Sequence, residues 1–145
     1  MEIRVARCAL LSHNSQKLLL LRRAMHNATG QGQWECPGGK CLDGESCYDT
    51  VDMEILQETG LKHVVVENKF IEVDRAVPSE GPCAGTTFLT FFTQAHDESR
   101  GDPVLLEEDH DACVWVTYEE ALTYDLTPQT RKGLIAIRER IQMPK

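Results

Sequence analysis

The sequence predicts a mixed α/β fold in which a mixed β-sheet lies between helices. Three observations carry that prediction: strand-like apolar runs fill the first part of the chain, one helical pattern interrupts them, and two helical patterns close it. With 145 residues, 41% of them hydrophobic and 26% charged, the chain has the size and composition of a soluble globular protein, so a single domain over residues 1–145 is expected.

The elements follow in order. Ile3 to Leu11 and Lys17 to Arg23 are rich in Val, Leu and Ile and flank the polar cluster "SHNSQ", which predicts a β-hairpin. "AMHNATGQGQ" is a loop by its Gly, Asn and Thr content, and "QWECP" after it is a short strand ended by Pro37. The turn "PGGK" leads to a helix over Ser46 to Thr59. Ser46 is its N-cap, Asp49 stands at the capping-box position and Gly60 supplies the stop. Tyr48, Val51 and Ile55 share one stripe of this helix and should face the core. "HVVVENKFIEV" and "TTFLTFFTQA" are strands divided by the loop "PSEGPCAG", and "ACVWV" is the last strand. "TYEEALTY" and "TPQTRKGLIAIRERI" are helices, the second with Thr127 as N-cap and Pro128 in its first turn.

Charge and cysteine usage narrow the function. A net charge of −8 repels polyphosphates at long range, so a nucleic-acid groove is not expected and any phosphate ligand needs local Arg, Lys or metal cations. No run approaches the roughly 20 apolar residues of a membrane span, and "MEIRVARCALL" lacks a basic region followed by a signal-peptide core, which points to a cytoplasmic protein without membrane attachment. The six cysteines sit mostly in apolar runs, form no CxxC pair and have no His at ligand spacing, which favours reduced thiols over disulfides or structural zinc.

The helix after "PGGK" breaks two local rules. Five acidic residues lie between Glu45 and Glu58 with no Lys or Arg among them. Glu54, Gln57 and Glu58 project from one face, where like charges cost about 0.2–0.5 kcal/mol, and acids in the last turn oppose the helix dipole by a further ~0.3–1 kcal/mol. A solvated acidic face is the plain explanation. A divalent cation on oxygen ligands is the functional one, because it converts the repulsion into attraction. The glycine turn supports the second: backbone at Gly38 can approach a ligand closely, and a backbone carbonyl at Gly39 would add a further hard oxygen. Mg²⁺ or Mn²⁺ suits such a site with room for water and phosphates.

The stretch from Gly39 to Leu61 resembles the signature of the Nudix hydrolases, which is Gly, five residues, Glu, seven residues, then Arg-Glu-aliphatic-any-Glu-Glu-any-Gly-aliphatic. Gly39, Glu45, Glu54, Ile55, Glu58, Gly60 and Leu61 fall at the required positions without insertion. "QWECPGGK" and "VWVTYEEAL" also resemble this family, so the likeness covers most of the chain. It implies an α/β/α sandwich around a mixed sheet, and Mg²⁺-dependent attack of water on a phosphorus of a nucleoside diphosphate derivative. Diphosphate hydrolysis needs mostly positioning and charge neutralisation, which metals on clustered carboxylates provide.

Two signature positions differ. Met53 stands where the family has an Arg that helps orient a signature Glu, and Gln57 stands where it has a principal metal ligand. A neutral amide offers only a carbonyl oxygen to a cation. The resemblance therefore implies Gly39, Glu54, Gln57 and Glu58 as metal ligands and Glu54 and Glu58 as catalytic carboxylates, with weakened cation binding and slower hydrolysis.

Family members often take one more ligand or general base from a loop outside the signature. In "LLEEDHD" that role is assigned to Glu108, because the loop precedes the last strand; a solvated charge run is the alternative. Trp34 is assigned to stack on a nucleobase, with a core role as the alternative. Of Arg22 and Arg23, Arg23 is assigned to a phosphate or ribose. "VDRAVPSEGPCAG" shapes the pocket or forms a homodimer contact. The expected substrate is a nucleotide sugar, ADP-ribose or a non-standard nucleoside triphosphate; the rival function is a non-catalytic nucleotide-binding protein on a Nudix scaffold.

Overall fold

The computed structural model describes residues 1–13, 16–98 and 102–142. Its strands are β1 (Glu2–Leu11), β2 (Leu18–Arg23), β3 (Trp34–Glu35), β4 (Gly38–Lys40), β5 (Val64–Val66), β6 (Ile71–Ala76), β7 (Thr87–Asp97) and β8 (His110–Val116). Its helices are α1 (Cys47–Thr59), α2 (Tyr118–Ala121) and α3 (Pro128–Gln142).

The strands form one mixed sheet. β1 runs parallel to β7 along its whole length, from Glu2 opposite Thr87 to Leu11 opposite His96. Every other pairing is antiparallel: β4 on β1, β5 and β6 on β7, and β3 and β8 on β2. The expected hairpin is present, with β2 turning back antiparallel on β1, but it is short. Among the described residues these strands are in register at Leu11 and Leu18, next to the turn, and beyond that pair β1 continues on β7 and β2 on β8. A hairpin in sequence thus becomes the hinge between two wings of the sheet.

Both faces of the central strands are buried, as the continuous apolar runs require. Leu18, Leu20, Ala9 and Leu11 join Phe92, Leu134 and Ile137 in a core beneath α2 and α3. Leu19, Leu21, Cys8 and Leu10 point the other way, onto Val51 and Ile55 of α1. The period of two in strand side chains therefore supplies two cores from one run of leucines. At Gly133 the helix α3 lies so close to the sheet that a Cβ would fall 2.3 Å from the Phe92 ring.

Helix α1 forms as its sequence dictates. Ser46 accepts from the Asp49 N–H, the Asp49 carboxylate accepts from the Ser46 N–H, and Gly60 ends the helix with φ 72°. Val51 and Ile55 are fully covered, with Tyr48 packed beside them. Two segments differ from expectation. The run from His63 to Val73 is split into β5 and β6 rather than one strand, and "PGGK" is a short strand on β1 rather than a plain turn. No helix among the described residues is long and apolar enough to cross a membrane.

Candidate active site

Three segments converge at the C-terminal half of α1. The first is β4, whose glycines admit close contact. Gly38 lies opposite Arg7 in register, and a Cβ on it would meet the Ala6 carbonyl at 2.2 Å and the Arg7 Cγ at 2.5 Å. Its φ of 153° is a further reason for glycine. Gly39 packs against Glu54, whose Cδ would be 2.8 Å from a Cβ there. The second is α1 itself, which aims Glu54 and Glu58 at this strand one turn apart. The third is the loop before β8. The Val104 and Leu106 N–H groups donate to the Thr59 and Glu58 carbonyls at 2.8 and 3.4 Å, which satisfies open carbonyls at the end of α1 and ties the acidic loop to it.

The two carboxylates have different surroundings. Glu58 is 5% exposed; one oxygen accepts from the Gly38 N–H at 3.1 Å and the other lies 3.9 Å from His110 Nδ1. Burial pushes its carboxyl well above the usual range, with Arg7 and the Gly38 N–H pulling the other way and Glu54 and Glu35 adding to the rise. Glu54 is only partly buried, and its carboxyl is also raised, first by burial and then by Glu107, with Glu45 and Asp109 contributing and Arg7 opposing. Glu45 is committed to the loop: it accepts from the Leu42 N–H at 2.9 Å and the Thr50 hydroxyl at 3.2 Å.

Behind Glu58 lies a buried ionic cluster. Glu35, 3% exposed, meets Arg7 Nη2 at 3.3 Å, Arg23 Nη1 at 3.3 Å and His110 Nε2 at 2.8 Å. Burial raises the Glu35 carboxyl, but Arg7, the His110 hydrogen bond and Arg23 outweigh it and hold its pKa at about 2. Arg7, Arg23 and Glu35 also line a cavity of about 790 Å³, together with Lys40, Gln33, Phe88, Thr127 and Gln129.

The expected residues fall into two sets. Glu54, Glu58, Gly38 and Gly39 come together, although the Gly38 N–H is spent on Glu58. Arg23 lines the cavity. Met53 and Gln57 lie on the exposed side of α1. Glu108 is exposed, while its neighbours Glu107 and Asp109 are the loop charges felt at Glu54. Trp34 does not line the cavity; Tyr124 packs edge-on against it at 5.3 Å and the Arg22 guanidinium covers its ring at 5.6 Å. Arg22 also pairs with Asp111 at 2.7 Å. Sequence reasoning missed Arg7 and Glu35. Their signal was present: each is a charge inside a strand whose neighbours are apolar, and buried charges need partners.

Among the described residues, no three His, Cys, Asp or Glu side chains converge closely enough to hold an ion by themselves. The donors at hand are hard oxygens crowded by like charge. They fit a cation that keeps water and phosphate oxygens among its ligands, not an all-protein cage.

A family model described as the NUDIX domain matches residues 2–136. Among solved structures, the chain is similar to the MutT protein from Methanosarcina mazei Go1, with 22% identity over 98% of this chain and 96% of that one and a TM-score of 0.71. It is similar to the MutT NUDIX hydrolase from Burkholderia pseudomallei, with 26% identity over 93% and 97% of the two chains and a TM-score of 0.66. It is also similar to the NUDIX domain of Shewanella oneidensis NrtR, a structure complexed with ADP-ribose, with 18% identity over 98% and 90% and a TM-score of 0.67.

Proposed function

We propose, because the chain belongs to the Nudix family, that it is a divalent-metal-dependent hydrolase that cleaves the diphosphate linkage of a nucleoside diphosphate derivative. The observation that carries this reading is the approach of Glu54 to Gly39 and of Glu58 to Gly38. A cavity lined by Arg7, Arg23 and Lys40 is linked to them through Arg7, which lies opposite Gly38, although neither carboxylate lines it.

The chemistry is displacement at phosphorus. A water oxygen forms the new bond, the bridging P–O bond breaks, the leaving phosphate keeps the electron pair, and the water's proton goes to a base. Glu54 is placed to accept it, since it is only partly buried and lies against Gly39. Glu54, Glu58, the Gly39 carbonyl and the Gln57 amide would hold Mg²⁺ or Mn²⁺, with Glu107 as an added acid. When bound, such a cation neutralises phosphate charge and acidifies coordinated water. Arg23 and Lys40 give the phosphates fixed positive charge in the cavity.

Substrate size supports a nucleoside diphosphate linked to a second group: about 790 Å³ is within the span of pockets for drug-sized ligands. A structural neighbour complexed with ADP-ribose belongs to the same class of ligand. A second reading, a non-catalytic nucleotide-binding protein, is favoured by one observation: Met53 and Gln57 leave the exposed face of α1 without the charges the family signature has there. Nucleotide and phosphate release from ADP-ribose, nucleotide sugars and nucleoside triphosphates, with Mg²⁺ and with Mn²⁺, separates the two. Turnover supports the hydrolase, and saturable binding with no product supports the second reading.

A further inference from the structure

Helix α1 carries no basic residue, yet its most buried carboxylate is held in one place. The cation nearest in function comes from the sheet. Arg7 Nη1 donates to the Cys36 carbonyl at 3.0 Å and Nη2 pairs with Glu35 at 3.3 Å, so one guanidinium grips both ends of a dipeptide just before the glycine turn. The next residue of β1 holds the following peptide, with the Cys8 N–H donating to the Pro37 carbonyl at 3.0 Å. Gly38 then sits flat on Ala6 and Arg7 and presents its N–H to Glu58. A second route reaches the same carboxylate: Glu35 meets His110 at 2.8 Å, and His110 faces the other Glu58 oxygen at 3.9 Å.

We propose that Arg7 is a positioning residue for the reaction, fixing the Glu58 carboxylate through the Gly38 backbone on one side and through Glu35 and His110 on the other. This rests on the hydrolase reading, because it assigns Glu58 to the reacting site. Its separate content is that Arg7 acts on where Glu58 stands, although its side chain also borders the cavity.

The test compares wild type with Arg7→Met, Arg7→Lys and the double variant Arg7→Met/Glu35→Gln, which removes both members of the buried pair and so guards against unfolding. The Gly38 amide is followed by ¹⁵N NMR and hydrogen exchange, and kcat and KM are measured separately on the same samples. In Arg7→Met and in the double variant, the Gly38 amide proton should move upfield and exchange at least tenfold faster. The kcat should fall about 30- to 100-fold with KM within threefold, as misplacement of a reacting group does. Arg7→Lys should recover most of kcat. An unchanged Gly38 amide with KM raised tenfold or more would instead make Arg7 a substrate contact and overturn the proposal. The amide measurement needs no turnover, so a wild type that hydrolyses nothing would defeat the hydrolase reading while the effect on Glu58 position is still read directly.

Discussion

His110 Nε2 lies 2.8 Å from Glu35 Oε2, and both side chains are almost wholly buried. The pair joins the first residue of β8 to the last residue of β3, and so links the loop that carries Glu107 and Asp109 to the strand that leads into the glycine turn. Arg7 and Arg23 complete it, placing two fixed cations against one carboxylate. Breaking such a cluster on one side leaves a charge buried without a partner. Glu35→Ala should therefore destabilise the fold by about 3–5 kcal/mol, seen as a lower urea midpoint. Glu35→Gln, which keeps a hydrogen-bonding oxygen, should cost clearly less.

Glu35 also sets a limit in acid. Its folded-state pKa, held near 2 against burial by Arg7, His110 and Arg23, lies below the unfolded value of about 4.3. The stability it contributes is complete above the unfolded pKa and is lost as pH falls through the folded one, so this part of acid unfolding should occur between roughly pH 4.5 and 2. Stability should fall less steeply with pH over that window in Glu35→Gln, because the titrating carboxylate is gone. An identical slope of stability against pH in both proteins over that window would be inconsistent with the cluster.

Glu58 has the opposite sign. Its carboxyl is raised by burial, so keeping it ionised costs stability as pH rises above the unfolded carboxylate range. Glu58→Gln keeps an oxygen for the Gly38 N–H and removes the buried charge. It should melt higher than wild type at pH 8 and equally at pH 4, while losing at least 100-fold in turnover. A drop in melting temperature at pH 8 would show that the charge is better compensated than the geometry indicates.

Gly39 offers a purely geometric test. A methyl group there would meet Glu54 Cδ at 2.8 Å, and the end of a flexible side chain can move away. Gly39→Ala should thus leave stability within about 1 kcal/mol, since only a surface-reaching carboxylate shifts. Turnover should fall at least tenfold as that carboxylate leaves its place. Gly133→Ala is the contrast: its Cβ would lie 2.3 Å from the Phe92 ring, in the core, and should cost about 1–3 kcal/mol.

Much of this was legible in the chain. Ser46, Asp49 and Gly60 mark the ends of α1 by local hydrogen bonding alone, and the structure has those bonds. The spacing of Glu54 and Glu58 fixes a shared helix face, and the comparisons agree with the family drawn from it. What escaped depends on distant partners. Nothing within "LLLLRR" says that β2 leaves β1 after one pair and continues on β8. Arg7 and Glu35 are 28 positions apart in sequence and meet only because β1, β3 and β4 are brought together in the sheet. Trp34 was ambiguous for a similar reason: its neighbours are Arg22 of β2 and Tyr124 of the segment between α2 and α3.

The central claim is that the clustered carboxylates of α1 form a hydrolytic site weakened at position 57. The most direct measurement is kcat with saturating Mg²⁺ for wild type and for Gln57→Glu, on the nucleoside diphosphate derivative that binds best. Slow turnover in wild type, below the roughly 1–10³ s⁻¹ typical of enzymes, and a rise of tenfold or more in Gln57→Glu is the predicted result. Tight binding with no product from either protein, or wild-type turnover at ordinary enzyme rates that Gln57→Glu does not improve, would contradict it.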